Sequence, residues 1–247
     1  MKIAIAGAAG RMGQALIEAA ASDRELEVAV AHDIAGVGKG AGNLEVTSDN
    51  SALSAADVVI DFTRPSATLA HLVHAKAMVI GTTGFDERQK SVIAKAAGRI
   101  PIVLSPNFAV GVNVVFKLAE TAAQTLGEGY DVEIVEAHHR HKVDAPSGTA
   151  LKLGEVIASV LKKKDFAFGR KGDTGERPVK QIGFHAIRGG DIVGEHTVIF
   201  AGQGERVEVT VRSQSRMTYA LGAVRAAKWL KGRPAGLYDM FDVLGLR

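Results

Sequence analysis

Short apolar runs alternate with helical stretches over the first hundred residues, and this alternation restricts the fold more than any other feature. The runs are continuously apolar, which is typical of strands that are covered on both faces. Strands that recur with helices between them predict βαβ units and a parallel sheet. The predicted strands are Lys2–Gly7, Leu26–Asp33, Val58–Phe62, Ala77–Thr83 and Ile100–Leu104, with a helix to Ala21 after the first.

The pattern changes after Pro106, which predicts a second domain built on an antiparallel or mixed sheet. Glycine-containing turns at Arg188–Asp191 and Gly202–Gly204 separate its last three strands. A final helix, Met217–Leu230, is apolar around most of its surface and must be buried against another element. The other predicted elements are helices Val110–Leu126 and Ser147–Lys164 and strands Tyr130–Ala137, Gln181–Arg188, His196–Phe200 and Arg206–Gln214.

The composition excludes several classes of protein. The chain has 247 residues, of which 47% are hydrophobic and 23% charged, so a disordered chain is excluded. It has no cysteine, which excludes disulfides, thiol nucleophiles and cysteine-based zinc sites and predicts a cytoplasmic location. The 30 Lys and Arg residues are scattered and nearly balanced by 27 Asp and Glu, so no nucleic-acid partner is expected. No apolar run reaches the ~18 residues of a membrane span, and glycines interrupt the N-terminal run, so neither a span nor a signal peptide is expected.

A glycine-rich loop directly follows the first predicted strand and opens the first helix, which is the context of a dinucleotide phosphate-binding loop. Asp33 ends the second strand twenty residues after Gly13, where an acid accepts hydrogen bonds from the adenosine ribose. The G-x-x-G-x-x-G spacing is a variant of the usual motif, so a turn that only joins strand to helix is the alternative. The loop consists of Gly7, Ala8, Ala9, Gly10, Arg11, Met12 and Gly13.

A second glycine turn follows the fourth predicted strand and contains Gly81, Thr82, Thr83 and Gly84. The carboxyl ends of parallel strands meet at one edge of a sheet, where dinucleotide cofactors bind. The turn is therefore a candidate cofactor contact, and a plain turn is the alternative.

The densest cluster of charged and titratable residues lies between Glu136 and Ala150. If this stretch is extended, its period of two places His138, Arg140 and Lys142 on one side and His139 and His141 on the other. A metal held by His139 and His141 is one alternative, but the neighbouring Arg and Lys oppose a cation, and no third ligand motif is apparent. No metal is therefore expected, and a basic solvated turn is the other alternative.

The end of this cluster favours an anion instead. Ser147 is a good N-cap for the helix that follows, and Gly148 and Thr149 would direct backbone N–H groups outward. An anion site beside a group of cations predicts a substrate with more than one carboxylate.

Six segments together resemble the dihydrodipicolinate reductase family, in that family's order and over nearly the whole chain. The histidine-rich run with its Ser-Gly-Thr is highly specific, whereas the glycine loop alone is not. The segments are GAAGRMG, IDFTRP, VIGTTGF, EAHHRHKVDAPSGTA, RGGDIVGEHTV and GLYDMFDVL.

The resemblance implies an α/β fold with a Rossmann-like parallel-sheet domain and a second α+β domain with a mixed or antiparallel sheet. The implied dinucleotide-binding domain is 1–108 with 217–247, and the implied substrate-binding and oligomerisation domain is 109–216, which builds a homotetramer. The implied activity is NAD(P)H-dependent reduction of a cyclic unsaturated imine dicarboxylate to tetrahydrodipicolinate, in lysine and diaminopimelate biosynthesis.

The resemblance also implies roles for individual residues. His138 and Lys142 match the proton-transfer residues of the family, without a decision between them as the donor. The substrate-carboxylate contacts match His139, Gly148 and Thr149. The cofactor-lining loops match Gly81, Thr82 and Thr83 and then Ser105, Pro106, Asn107 and Phe108.

The position after Asp33 departs from the family. There the acid is often followed by an arginine that can hold a 2′-phosphate, whereas this chain has Ile34. Arg11 and Lys39 are the nearby cations that could replace it. The sequence therefore predicts that NADH is favoured over NADPH.

Two other functions compete with this interpretation. Another two-domain dehydrogenase, of the aspartate or homoserine type, explains the first hundred residues but not the cationic run joined to Ser-Gly-Thr. A nicotinamide-sensing regulator would need a DNA-binding or partner-binding module, and no helix-turn-helix with a basic face is evident in the sequence.

Overall fold

The computed structural model describes residues 1–162 and 165–247, which form two compact units. The first unit consists of Met1–Val110 and Arg216–Arg247, and the second unit consists of Gly111–Ser215. The last two residues of the helix predicted to end at Lys164 lie outside the described residues.

The elements alternate along the N-terminal part of the chain as the apolar runs predict. Several observed strands are shorter than predicted, and the strand predicted over Ala77–Thr83 forms only at Met78–Ile80. In chain order the elements are β1 (Lys2–Ala6), α1 (Arg11–Ala21), β2 (Glu27–His32), β3 (Gly40–Ala41), β4 (Leu44–Thr47), a 3₁₀ helix (Asn50–Ala55), β5 (Val58–Asp61), α2 (Pro65–His71), β6 (Met78–Ile80), α3 (Glu87–Ala97) and β7 (Pro101–Leu104).

The chain then forms the second unit and returns to the first. The second unit includes most of α4 (Val110–Leu126), a short 3₁₀ helix (Gly127–Gly129), β8 (Asp131–His138), α5 (Gly148–Leu161), β9 (Asp165–Phe168), β10 (Gln181–Arg188), β11 (Gly194–Ala201) and β12 (Arg206–Ser213). The returning segment contains α6 (Met217–Leu230), β13 (Gly236–Tyr238) and α7 (Met240–Leu244).

The first unit is a parallel sheet covered on both faces. Its strand order is β13-β7-β6-β5-β1-β2-β4-β3, and only the β3–β4 pair is antiparallel. Ile3 and Ile5 of β1 pack with α1 and α6, whereas Ala4 and Ala6 point into a second core with α3. The continuous apolar runs follow from this burial on two faces, and the α/β fold class is confirmed.

Helix α6 buries one broad face, which is lined mainly by small residues, while Leu221 and Arg225 on the other side are exposed. It packs against α1 and β5, and Ala220, Ala223 and Ala227 are fully enclosed. A Cβ on Gly222 would lie 1.8 Å from the carbonyl oxygen of Phe108, so only glycine allows this close approach. The strand that follows, β13, was not predicted and pairs in parallel with β7 at the edge of the sheet.

The second unit is built on a mixed sheet, as predicted. Its order is β12-β11-β8-β10-β9, in which β8, β10 and β9 are parallel and β12, β11 and β8 antiparallel. The turn at Gly202–Gly204 joins neighbouring strands, but the turn at Arg188–Asp191 does not, because β8 lies between β10 and β11. Strand β9 was not predicted. Among the described residues, no helix combines the length and apolarity needed to cross a membrane.

At Gly13, helix α1 packs closely against the loop that precedes it. A Cβ at this position would lie 2.1 Å from the carbonyl oxygen of Gly7 and 2.6 Å from the Cα of Ala8. Because these are backbone atoms, α1 itself must shift, and we expect Gly13→Ala to lower the free energy of unfolding by about 1–3 kcal/mol. Denaturant unfolding measures this, with Gly40→Ala as a control because a Cβ there meets no atom within 4 Å. Equal stability of the two variants would contradict the expectation.

Candidate active site

The glycine-rich loop is tied to the end of β2. The backbone N–H groups of Gly7 and Ala8 both donate to the carbonyl oxygen of His32, at 2.9 and 3.0 Å. Gly7 has a φ of +86°, which lets the chain turn sharply from β1 toward α1. Gly10 is the N-cap of α1 and offers no side chain to its first turn, so this helix end is suited to a phosphate.

Asp33 lies beside this loop, as the spacing predicts. One oxygen of its carboxylate accepts from the N–H of Ala9 at 3.0 Å and the other from the N–H of Ala35 at 2.9 Å. These bonds hold the carboxylate at the rim of a cavity of about 380 Å³, which Gly7 and Gly10 also line. A glycine loop, a free helix end and a fixed acid beside one cavity fit the adenosine and phosphate groups of a dinucleotide.

The same cavity has polar lining residues that the sequence analysis missed. Arg64, His32 and His71 line it together with Ile34, whereas Arg11 and Lys39 are not among its lining residues. Nδ1 of His71 lies 2.7 Å from a carboxylate oxygen of the buried Asp61, and the rings of His32 and His71 meet edge to face at 4.7 Å. Burial and the neighbouring His71 lower the pKa of His32. The signal for Arg64 was its position in the loop after β5, at the same edge of the sheet.

In the turn after β6, Gly81 and Thr82 pack against the first unit, whereas Thr83 is exposed. A Cβ on Gly81 would meet the ring of Phe62 at 2.2 Å, so this ring requires glycine. The hydroxyl of Thr82 is buried and lies 3.0 Å from a carboxylate oxygen of Asp61. Thr83 is exposed. Of the three predicted cofactor contacts, Thr82 therefore stabilises the loop with its side chain, and only its backbone could face a ligand.

The loop after β7 lies at the same carboxyl edge of the sheet. The hydroxyl of Ser105 donates to the carbonyl oxygen of Asn107 at 2.9 Å, and both residues are buried. Phe108 is fully buried, with its ring 5.6 Å from that of Phe62. Pro106 is exposed. Of the glycine loop's remaining residues, Arg11 is exposed, while Met12 is half-buried against the core.

In the second unit, a buried carboxylate is bonded to the predicted catalytic histidine. Oε2 of Glu136 lies 2.6 Å from Nδ1 of His138, which is the last residue of β8. Arg188 donates to both oxygens of Glu136, at 2.8 and 2.7 Å. Burial alone would raise the pKa of Glu136, but the hydrogen bonds from Arg188 and His138 outweigh it and hold the pKa below its usual value.

The chain after His138 turns rather than continuing as a strand. The N–H of Lys142 donates to the carbonyl oxygen of His139 at 3.1 Å, and that of Arg140 donates to Gly190 at 3.2 Å. The expected alternation of side chains over 138–142 is therefore wrong, because β8 ends before it. Nζ of Lys142 lies 2.7 Å from Oδ1 of Asp144.

Ser147 caps α5, as predicted, and connects it to His138's surroundings. Its hydroxyl accepts from the N–H of Ala150 at 3.2 Å and lies 2.9 Å from Nε2 of His196. Burial lowers the pKa of His196 to about 4. Gly148 is exposed, and a Cβ there would meet no atom within 4 Å. The first turn of α5 is thus open to an anion at Gly148.

The metal alternative receives no support from side-chain positions. The rings of His139 and His141 are 6.3 Å apart. Within residues 1–162 and 165–247, no three His, Asp or Glu side chains are placed to hold a metal ion.

A parallel-sheet unit with a dinucleotide-type cavity, next in sequence to a unit with a cationic, histidine-containing site, defines the class of NAD(P)-dependent oxidoreductases. Family models described as the N-terminus and the C-terminus of dihydrodipicolinate reductase match residues 1–108 and 111–244. The chain belongs to the dihydrodipicolinate reductase family and is an oxidoreductase that uses NAD(P)H. The resemblance and the enzyme class inferred from the sequence are confirmed.

Curated relatives match over the full chain. A 4-hydroxy-tetrahydrodipicolinate reductase of Aromatoleum aromaticum is 58% identical over 100% of this chain and 96% of its own length. One of Dechloromonas aromatica is 55% identical, covering 100% and 98%.

Solved structures agree with the fold. A dipicolinate-bound dihydrodipicolinate reductase from Paenisporosarcina sp. TG-14 has a TM-score of 0.80 and 25% identity, over 98% of both chains. An aspartate dehydrogenase from Thermotoga maritima has a TM-score of 0.53 and 13% identity, over 95% of this chain and 98% of its own. The second similarity concerns the fold alone.

Proposed function

We propose that this protein reduces 4-hydroxy-tetrahydrodipicolinate, or the dihydrodipicolinate formed from it, to tetrahydrodipicolinate in lysine and diaminopimelate biosynthesis. The observation that carries the proposal is the group of cations around His138, beside the open N-terminus of α5. A flat dicarboxylate needs anion contacts at two places, and this site offers N–H groups at one and cationic side chains at the other. The dipicolinate bound to the structural relative has the same two carboxylates.

We assign dinucleotide binding to the first unit. The loop Gly7–Gly13 and the end of α1 would hold the pyrophosphate, and Asp33 would hold the adenosine ribose. The turns Gly81–Thr83 and Ser105–Phe108 lie at the same edge of the sheet and would line the rest of the cofactor. The bound NAD(P)H supplies a hydride, and the chain orients it and excludes water.

We assign substrate binding and proton transfer to the second unit. His139, Gly148 and Thr149 would bind the carboxylates, with the backbone at the start of α5 facing one of them. His138 and Lys142 would handle the proton that must accompany hydride addition to the conjugated imine. We also propose a cytoplasmic location, which the absence of cysteine supports. A further proposal is that the second unit forms a homotetramer.

The activity is tested by following NAD(P)H oxidation with the condensation product of pyruvate and aspartate semialdehyde. We expect turnover with this imine dicarboxylate and none with pyruvate alone. Aspartate or homoserine with NAD⁺ serves as the competing assay. Faster oxidation of either amino acid would replace the proposal with the amino-acid dehydrogenase alternative.

We expect NADH to be favoured over NADPH by roughly tenfold in kcat/KM. A carboxylate at Asp33 repels a 2′-phosphate, which costs on the order of 1 kcal/mol at ~4 Å in water and more where solvent is excluded. Ile34 is 86% exposed and brings no compensating charge. Ile34→Arg should reduce the preference, because an arginine can hold the phosphate with two hydrogen bonds.

The control for this prediction is Ile34→Gln, which is polar but uncharged and should leave the ratio unchanged. Both cofactors are to be compared at one ionic strength, because charge effects are screened by salt. A clear preference of the unmodified protein for NADPH would mean that Arg64, Arg11 or Lys39 supplies the phosphate contact.

A further inference from the structure

Glu136 is the point at which several parts of the candidate site meet. Its Oε2 accepts from Nδ1 of His138 and Nη1 of Arg188, at 2.6 and 2.8 Å. Its Oε1 accepts from the N–H of Ser147 and Nη2 of Arg188, at 3.1 and 2.7 Å. The side chain is fully buried, so these four donors replace its water. Such a set of donors keeps the carboxylate ionised.

An ionised Glu136 decides which nitrogen of His138 carries hydrogen. A carboxylate only accepts hydrogen bonds, so the Nδ1 of His138 must be the donor. The other nitrogen, Nε2, then bears a lone pair whenever the ring is neutral. His138 in this form accepts a hydrogen bond and does not give one from Nε2.

Burial favours the neutral ring of His138. It lowers the pKa of His138, and Lys142 and Arg188 act in the same direction, while the hydrogen bond to Glu136 and the negative charge of Glu136 oppose them. His196, on β11, meets the ring of His138 edge to face at 5.1 Å. Because the pKa of His196 is about 4, it brings no charge at neutral pH. Asp144 is paired with Lys142 across the loop.

Arg188 reaches this position through the sheet. It stands opposite His138 in the parallel pairing of β10 with β8, and it also donates to the carbonyl oxygen of Asp144 at 2.7 Å. One side chain thus fixes both the carboxylate behind His138 and the loop that bears Lys142. Glu136 also fixes Ser147, whose N–H donates to its carboxylate. Ser147 is the N-cap of α5, the helix of the proposed carboxylate site.

We propose that Glu136 and Arg188 are positioning residues that hold His138 as the neutral Nδ1–H tautomer, with Nε2 as an acceptor in the site. The role of His138 in catalysis rests on the proposed function, whereas the assignment of its tautomer does not. In this arrangement the proton comes from Lys142: its Nζ–H bond breaks, the proton goes to the reduced substrate, and the neutral amine regains a proton from water.

The pH dependence of kcat/KM tests the positioning role. kcat/KM should fall at low pH as His138 becomes protonated, so the acid limb of the pH profile reports the pKa of His138. Glu136→Gln removes a negative charge and should move this limb down by about one pH unit. Arg188→Met removes a positive charge and should move it up by a similar amount. Opposite shifts cannot come from a general loosening of the fold.

The control is Glu195→Gln, which changes a half-exposed carboxylate on β11 that faces away from His196 and should leave the limb unchanged. If either single variant fails to fold, the double variant Glu136→Gln/Arg188→Met removes both charges, and its limb should stay near that of the unmodified protein. Limbs that shift in the same direction, or a limb that moves equally in the control, would overturn the proposal.

A second measurement does not depend on turnover. Nuclear magnetic resonance of the protein labelled with ¹⁵N-histidine reports which nitrogen of each ring carries hydrogen, and His138→Gln assigns the His138 signal. We expect the Nδ1–H form, and an Nε2–H form would overturn the inference. The same signal, followed against pH, gives the pKa of His138 without turnover. If the protein reduces no imine dicarboxylate but shows this tautomer, and Glu136→Gln and Arg188→Met shift the pKa of this signal in opposite directions, the proposed function fails and the positioning of His138 stands.

Discussion

Lys142→Ala should lower kcat by about 10²–10⁴-fold, because that is the usual cost of losing a general acid. Lys142 lies in the turn after β8, with its side chain about one-fifth exposed. Its removal takes an ion-pair partner from Asp144, whose side chain is mostly exposed and therefore remains solvated. The binding of NADH, assigned to the first unit, should change little. Steady-state kinetics and a fluorescence titration of NADH measure the two quantities separately.

The ion pair with Asp144 provides the control for Lys142→Ala. Asp144→Asn keeps the lysine and removes its partner, so it should lose far less activity. His138→Gln should also reduce kcat, but less severely, if Lys142 is the donor and His138 orients the substrate. Near-normal turnover of both Lys142→Ala and His138→Gln would remove the proton-transfer assignment.

The parallel sheet was predictable because its signals are local. Each strand from β1 to β7 that carries a long apolar run was located, and the helix α6 was placed at its observed bounds. The strands that were missed are β3, β4, β9 and β13. Their sequences, GA, LEVT, DFAF and GLY, carry no continuous apolar run like those of β5 and β6. They form through pairing with neighbours that are distant in the chain, as β13 does with β7.

The site was only partly predictable for the same reason. His138, Lys142 and Ser147 lie within ten positions of the sequence, which indicates a polar site. The role of Asp33 was predicted from its spacing to the glycine loop. The place of Arg188 in the site could not be predicted from the sequence, because only the pairing of β10 with β8 brings it beside His138. The failed alternation after His138 has a similar cause, since a bond from Arg140 to Gly190 helps to turn the chain.

Gly148→Val should raise the KM for the imine dicarboxylate by about 10–100-fold. Gly148 is the first residue of α5, and a Cβ there meets no protein atom within 4 Å, so a side chain can start at this position without contact to the protein. Its methyl groups would occupy the space in front of the helix N-terminus, where a carboxylate would approach the N–H groups. A hydrogen bond to a charged group is worth about 1.5–3 kcal/mol, which corresponds to the expected range.

Calorimetry with pyridine-2,6-dicarboxylate, a planar analogue, separates substrate binding from cofactor binding in this variant. The analogue should bind more weakly while NADH binds as before. Gly148→Ala adds one carbon and should have a smaller effect, and Gly129→Val controls for a valine at another open position of the second unit. Loss of NADH binding with intact binding of the analogue would mean that the two ligands are assigned to the wrong units, because the start of α5 would then face the cofactor.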